Sequence, residues 1–121
     1  MPFSLEAEQS VLGAILIDPA CMDHLAGILS AEDFMLEEHR DVFTAMQKMY
    51  LRSKTIDVVT LLDELVRDGV YDEAGGKDYI RLISEIVPSA ANVKDYAEIV
   101  RDKSMLRALI SACDDISTMA Y

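Results

Sequence analysis

The residue types that usually carry out chemistry occur in this chain at spacings that fit no familiar reaction. Its paired glycines, Gly75-Gly76, are followed by Lys77-Asp78. A phosphate-binding loop needs a glycine-rich turn, then a lysine and a serine or threonine that binds Mg²⁺. Asp78 would put a negative charge where the phosphate should lie. The sequence therefore predicts no ATP site, and we interpret Gly75-Gly76 as a turn at the start of a helix.

The two histidines do not predict a metal centre. A di-iron site in a helical bundle requires Glu-x-x-His pairs, but the residues three positions before His24 and His39 are Cys21 and Leu36. Cys21 and His24 could supply half of a metal site, yet no second Cys/His pair exists to complete it. We therefore expect neither a metal nor a cofactor. We interpret His39 as a partly buried, hydrogen-bonded residue at the edge of the core.

Acidic residues dominate the chain. Twenty-two Asp and Glu residues against eleven Lys and Arg residues give a net charge of −11. Adjacent carboxylates such as Asp114-Asp115 follow from this composition, and we interpret them as solvated surface rather than general acid–base pairs. Affinity for nucleic acid rests on Lys and Arg replacing counterions on phosphates. The densest basic stretch, residues 101–107, is interrupted by Asp102, so tight DNA binding by this chain alone is not expected.

Length and composition predict a single cytoplasmic domain. The chain has 121 residues, of which 51% are apolar and 27% charged, and this mixture is typical of a globular protein. No apolar run approaches the roughly 20 residues that span a bilayer. Glu6 and Glu8 lie where a secretory signal would carry positive charge. Two isolated cysteines, Cys21 and Cys113, are compatible with a reducing cytosol.

The apolar pattern predicts an all-α fold, because every long segment has helical period and none alternates like a strand. Ser4, Asp18 before Pro19, and Asp57 are predicted N-caps. Gly69 is suited to end a helix in a left-handed conformation. The residues from Ser30 to Asp33 resemble a capping box that turns Phe34 inward. The predicted inward faces of five helices are Val11, Leu12, Ile15 and Leu16; Met22, Leu25, Ala26 and Leu29; His39, Val42, Phe43, Met46, Met49 and Tyr50; Val58, Leu61, Leu62, Leu65 and Val66; and Tyr79, Ile80, Ile83, Ile86 and Val87.

The last thirty or so residues predict one long helix, on the order of 45 Å, that starts at Ser89 after Pro88. Val93, Tyr96, Ala97 and Val100 of its first half can pack on the preceding helices. We therefore expect one domain, 1–121, with a head, 1–88, and a protruding helix, 89–121. The second half carries a further apolar stripe: Leu106, Leu109, Ile110, Cys113 and Ile116.

This distal stripe is the predicted functional surface. A head of fewer than ninety residues is too small to cover the whole helix, and unburied apolar helix faces usually meet a partner. We predict a protein–protein interface there. The alternatives are that the stripe folds back on its own head or that the helix frays.

Several quoted segments, in order, resemble a known family. They are Ser4-Leu5-Glu6-Ala7-Glu8-Gln9-Ser10-Val11-Leu12-Gly13, Asp33-Phe34, His39-Arg40 with Phe43, Ile56-Asp57 with Val59-Thr60-Leu61, Gly75-Gly76 with Tyr79, Pro88-Ser89-Ala90-Ala91-Asn92-Val93, and Tyr96-Ala97-Glu98-Ile99-Val100-Arg101-Asp102-Lys103. Together they resemble the N-terminal domain of the bacterial replicative DNA helicase of the DnaB type. The resemblance runs from Ser4 to about Asp115.

The resemblance implies a role in DNA replication. Such helicases are hexameric rings whose N-terminal domains form a collar, a trimer of dimers, which docks the C-terminal region of primase and, in some bacteria, loader proteins. A separate RecA-like motor domain, expected after Tyr121, uses ATP and Mg²⁺ to move 5′→3′ along single-stranded DNA. The helix from Ser89 would be the first arm of a helical hairpin that supplies dimer contacts. No catalysis is implied for these 121 residues themselves.

A different class of function is compatible with the same residues. The chain could be a free-standing helical adaptor or dimerisation module without a motor. A reading frame that continues past Tyr121 into a phosphate-binding loop would distinguish the helicase from the adaptor.

Overall fold

The computed structural model describes residues 1–120, apart from the side chains of Glu73 and Ala74. These residues form six α-helices and two short 3-10 turns, with no strand among them, so the predicted all-α class is confirmed. None of these helices is long and apolar enough to cross a membrane. The helices are α1 (Leu5–Ile17), α2 (Met22–Leu25), α3 (Glu37–Leu51), α4 (Val58–Arg67), α5 (Glu73–Ile86) and α6 (Val93–Ala120), and the 3-10 turns are Pro19–Cys21 and Ala31–Asp33.

Polar side chains fix the helix starts where the sequence predicts them. The Ser4 hydroxyl accepts a hydrogen bond from the Ala7 amide at 3.1 Å. Asp18 accepts from the Ala20 amide before the first 3-10 turn. Asp57 and Thr60 cap α4 reciprocally, each at 2.9 Å from the other's amide. These contacts satisfy amides that have no partner inside a helix, which is why each start is sharply defined.

The core lies where α1, α3, α4 and α5 meet, with the first half of α6 across one side. Phe43 on α3 is fully buried, as predicted, and its ring lies 5.0 Å from that of Phe34, which the second 3-10 turn directs inward. Met46 and Met49 fill the core along the same face of α3. The other large apolar side chains with no exposure include Leu12, Ile15, Leu25, Leu61, Leu65, Ile80 and Ile83.

Helices α1 and α5 pack closely because Gly13 lies at their crossing. A Cβ atom on Gly13 would lie 2.6 Å from the main-chain oxygen of Ile83 and 3.4 Å from Val87 Cγ2. The first distance is shorter than real Cβ contacts, and its partner is backbone rather than a flexible side chain. The crossing therefore requires glycine for space, whereas Gly69 after α4 has a φ of 74° and serves the left-handed helix end predicted for it.

Several predicted inward positions are wrong. Leu62 is only half-buried and Val66 is exposed, because α4 turns a narrower face, through Leu61 and Leu65, to the core. Ala26 and Ile86 are likewise exposed. Each of these residues lies at the edge of the apolar stripe of its helix. The core of this small domain is too narrow to cover the full width of the stripe.

Two predicted helix boundaries also need correction. Helix α5 begins at Glu73, so Gly75-Gly76 lie in its first turn rather than in a turn before it. The Asp72 carboxylate makes this earlier start possible, since it accepts from the Gly75 amide at 2.6 Å. Helix α6 begins at Val93, four residues after the predicted start, because residues 89–92 form bends and a turn. The predicted end of that helix, Tyr121, lies outside the described residues.

Candidate protein-interaction surface

The first half of α6 is held against the head by apolar contacts and by hydrogen bonds from arginine side chains. Val93, Ala97 and Val100 are buried. Further along, the Arg101 guanidinium donates to the Ile28 carbonyl at 2.9 Å, and Arg107 is the last residue of α6 that is hydrogen-bonded to the head. The sequence predicted the apolar contacts, but it did not predict the arginine contacts.

Arg107 makes a two-point contact. One guanidinium nitrogen donates to the Pro2 carbonyl at 2.9 Å and the other to the Asp33 carbonyl at 2.6 Å. One turn earlier, the Ser104 hydroxyl donates to the Asp33 carboxylate at 2.8 Å. The N-terminal segment and the second 3-10 turn thus hold the middle of α6 in place.

Beyond Arg107, every described residue of α6 is exposed. The five predicted interface residues, Leu106, Leu109, Ile110, Cys113 and Ile116, all lie on this helix and are all exposed, Leu109 over 61% and Ile116 over 68% of their surface. The alternative in which the stripe folds back on its own head is therefore wrong for this chain. The role of the stripe as an interface stays a prediction.

The exposed stripe lies on a different face of α6 from the one that contacts the head. Positions 93, 97, 100, 104 and 107 recur every three or four residues and so share one face. That face continues into Ser111 and Asp114, which are polar. At 3.6 residues per turn, Leu106 and Cys113 point roughly 120–150° away from it. The distal stripe is thus a separate apolar face and not a continuation of the face that packs on the head.

The distal stripe has the spacing of a helix–helix seam. Apolar residues recur every seven positions at Ile99, Leu106 and Cys113. A second series, Leu109 and Ile116, has the same interval and lies three positions after Leu106 and Cys113. Alternating intervals of three and four residues are those of the a and d positions of a coiled coil. Asp102 occupies the d position nearest the head, so the apolar seam starts close to where the arginine contacts end.

The residues considered as half of a metal site do not form one. Cys21 is buried, and burial, with a further contribution from the negative charge of Asp18, raises the pKa of its thiol to about 11. His24 is exposed. A buried, protonated thiol is a poor metal ligand. Among the described residues, no group of three or more His, Cys, Asp and Glu side chains could hold a metal ion.

His39 is more deeply placed than predicted, with no exposed surface. Its Nδ1 lies 2.7 Å from the Glu8 carboxylate and its Nε2 lies 2.5 Å from the Tyr79 hydroxyl. Because a carboxylate only accepts, Nδ1 carries a proton and donates to Glu8, and the Tyr79 hydroxyl is the hydrogen-bond partner of Nε2. The other Glu8 oxygen accepts from the Met35 amide at 2.8 Å. This network joins α1, α3 and α5.

Glu8 and Tyr79 are the members of this network that the sequence interpretation missed. Glu8 lies in the first turn of α1, where an acidic side chain is favoured and is usually solvated, yet it is 1% exposed. A signal was present: Glu8, Val11, Leu12 and Ile15 follow the i, i+3, i+4, i+7 pattern, so Glu8 lies on the apolar stripe. Burial raises the pKa of Tyr79, and its hydroxyl also accepts from Gln9 Nε2 at 3.3 Å. The network is largely buried, and we interpret it as a structural contact that ties α1, α3 and α5 together.

The segments that carry the family resemblance coincide with such ties. Glu8 and His39 meet in the network, and Arg40 donates to the main-chain oxygens of Phe34 and Met35 at 3.2 and 2.9 Å. A Cβ on Gly76 would lie 2.7 Å from the Tyr71 side chain. These residues therefore hold the helices and turns of the head in their observed positions.

Comparison with known proteins identifies the family of this chain. The family model described as "DnaB-like helicase N terminal domain" matches residues 1–102. The chain belongs to the DnaB-like helicase N-terminal domain family. Replicative DNA helicase DnaB of Pasteurella multocida is 42% identical over 120 residues, as is that of Geobacillus stearothermophilus; these matches cover 99% of this chain and 26% of each relative. Replicative DNA helicase DnaC of Bacillus subtilis is 38% identical with the same coverage.

A solved structure has the same fold. The crystal structure of the N-terminal domain of DnaB helicase from Mycobacterium tuberculosis aligns with a TM-score of 0.94 and 36% identity, covering 99% of this chain and 83% of that one. The DnaB-like family model ends at residue 102, before the distal stripe, whereas the alignments with whole relatives run through it. The chain spans about a quarter of the length of the curated relatives it matches.

Proposed function

We propose that this chain is the protein-interaction and ring-assembly domain of a replicative 5′–3′ DNA helicase of the bacterial cytoplasm. The observation that carries the proposal is the exposed seam on α6, from Leu106 to Ile116, in a chain of the DnaB-like N-terminal domain family. The head holds α6 rigidly up to Arg107 and leaves the remainder extended into solvent. Such a helix can present an apolar face to another helix without rearrangement of the head.

In this proposal the seam organises a collar of N-terminal domains. Two copies would pair through Leu106, Leu109, Ile110, Cys113 and Ile116, and three such dimers would complete a hexamer. A two-fold contact needs one self-complementary patch, and the a/d spacing of the seam supplies it. In the whole protein, a second hairpin helix would complete the same contact.

The proposal leaves catalysis to a motor domain outside these residues. ATP and Mg²⁺ would bind in that domain, and the present domain would need no cofactor. The net charge of −11 supports an interaction role with proteins rather than direct, tight binding of DNA. Its partners would be further copies of itself, the C-terminal domain of primase and, in some bacteria, a helicase loader.

Light scattering tests this function directly. The chain, with a monomer mass of 13.5 kDa, would be measured alone and with the C-terminal domain of the primase from the same genome. We expect a self-associated species alone and a heavier complex of defined stoichiometry with primase. The control for lysine substitutions on the seam is Leu51→Lys, which adds a charge at an exposed leucine of the head. It should leave self-association unchanged. A monomer that does not bind primase at any concentration would contradict the proposal.

A further inference from the structure

A second apolar surface lies on the head, between α4 and α5, well separated in sequence from the seam. Helix α4 buries one face in the core, but Val59 on its outer side is 77% exposed. Val58, Leu62 and Val66 join Val59 along an open groove of about 420 Å³. This volume is within the range of pockets that bind small ligands. The partial exposure of Leu62 and Val66, which contradicts the sequence prediction, is what creates the groove.

One wall of this groove is basic. Lys77 and Arg81, four residues apart on α5, line it opposite the valines. Among the described side chains, the Arg81 guanidinium takes part in no ion pair. The acidic residue of the lining, Asp63, is held by Arg67 at 2.6 Å. In a chain of net charge −11, two cations beside an apolar floor favour a ligand that is both apolar and acidic.

We propose that this groove binds an amphipathic helix of a partner protein, with its apolar side chains on the α4 wall and its carboxylates on Lys77 and Arg81. Val59, Leu62 and Val66 follow the i, i+3, i+7 spacing of one helix face, so they offer a row that a second apolar helix face can match. The carboxylates of that helix would lie on its margin, one turn apart, in line with the two cations. The partner is thus defined as an acidic amphipathic helix.

This binding site is independent of the assembly seam. It lies on α4 and α5, and it requires neither self-association nor the distal half of α6. The acidic end of α6 from a second copy, with Asp114 and Asp115, is the competing occupant. We favour a different protein as the occupant, and this choice rests on the proposed function, in which the apolar stripe of that helix is engaged in the seam.

The test uses two synthetic stapled helices of about 14 residues, with leucines at i, i+3 and i+7 and either glutamates or lysines along one margin. Each is titrated into the ¹⁵N-labelled chain, and amide shifts are followed by NMR. We expect the glutamate helix to shift residues 58–66 and 77–81, and to bind at least about tenfold more tightly than the lysine helix, a difference of about 1.4 kcal/mol.

Charge reversal is the most discriminating part of the test. Lys77→Glu with Arg81→Glu should reverse the preference between the two helices, because like charges would then face the glutamate helix. Arg52→Glu with Lys94→Glu makes the same change in net charge at exposed residues outside the groove and should leave the preference intact. Val59→Asp should abolish binding of both helices without unfolding the head, since Val59 is exposed.

Three outcomes would overturn the proposal. The first is equal binding of both helices, or an unchanged preference in the Lys77→Glu, Arg81→Glu variant. The second is a set of shifts confined to residues 105–119, which would mean that the helices bind the seam. The third is a concentration-dependent shift of residues 58–66 in the chain alone that disappears with Asp114→Asn and Asp115→Asn, which would assign the groove to a second copy. Primase binding in the separate light-scattering experiment is unaffected by any of these results.

Discussion

The head and the distal half of α6 contain similar apolar side chains but hold them in opposite situations. In the head, side chains such as Leu12, Phe43 and Ile80 are fully buried, and a hydrogen-bonded network of Glu8, His39 and Tyr79 joins three helices. Beyond Arg107, the leucines and isoleucines of α6 are exposed. The change occurs within one uninterrupted helix, at the arginine that makes its last hydrogen bonds to the head.

This difference separates stability from function in the molecule. Substitutions in the head should change the free energy of unfolding, because they remove buried contacts. Substitutions beyond Arg107 should leave the folded monomer intact and change only what binds to it. The family model covers residues 1–102, which include the whole head, whereas assembly is proposed for the distal half of α6.

The largest expected difference between the two regions comes from truncating an apolar side chain in each. Phe43→Ala should lower the free energy of unfolding by about 3–5 kcal/mol, because the fully buried ring leaves a cavity. Leu109→Ala, at an exposed position, should change it by less than about 0.5 kcal/mol when the chain is monomeric. Urea denaturation at low protein concentration measures both. Losses of equal size would contradict the distinction between the regions.

A smaller loss is expected when the buried tie is broken without loss of volume. Glu8→Gln should cost about 1–3 kcal/mol, because the Met35 amide and His39 Nδ1 both donate to Glu8, and one of them would then face an amide NH₂. Glu6→Gln removes a charge from the same helix at an exposed position and serves as the control. Thermal unfolding of the two variants tests this. Identical midpoints would show that the tie contributes nothing.

The crossing of α1 and α5 gives a third test within the head. Gly13→Ala should cost about 1–3 kcal/mol, because the new methyl group would collide with the main chain at Ile83. Gly27→Ala is the matched substitution, since a Cβ there meets no atom within 4 Å. It should be neutral within about 0.5 kcal/mol. Circular dichroism during heating distinguishes the two, and a stable Gly13→Ala variant would mean that the helices cross further apart.

The smallest perturbation is chemical modification of one cysteine in each region. At pH 8 only about 0.1% of Cys21 is thiolate, because its pKa is about 11, and its side chain is also buried. Cys113 is exposed on the seam. Iodoacetamide should therefore modify Cys113 first and reach Cys21 only after denaturant is added, as read by peptide mass spectrometry. Rapid modification of Cys21 in the native chain would contradict the packing of the first 3-10 turn.

The sequence predicted the parts of the fold that depend on local chemistry. Caps at Ser4, Asp18 and Asp57, the left-handed Gly69 and the buried Phe43 all follow from residue type and period, and all are confirmed. Period alone could not tell how wide a face the core would cover, so Leu62 was assigned inward. It also could not locate the start of α6, because the turn at residues 89–92 depends on packing against the head.

The sequence could not predict the hydrogen bonds between distant segments, for a different reason. Glu8 and Tyr79 are 71 positions apart, and only the fold places both on His39. Arg107 likewise contacts main-chain oxygens, which have no signature in the sequence. The five seam residues, in contrast, were predicted from period and from the size of the head, and they are exposed on α6; their role as an interface stays a prediction.

The most direct test of the central claim is the mass of the chain in solution with and without an intact seam. Light scattering across a concentration series should show the wild-type chain approaching twice 13.5 kDa, and the variant with Leu109→Lys and Ile110→Lys staying at the monomer mass. Circular dichroism should show the variant head folded, with helicity lost only near the C-terminus. If the wild-type chain is monomeric at the highest concentration, or if the double lysine variant still dimerises, the seam is not the assembly surface.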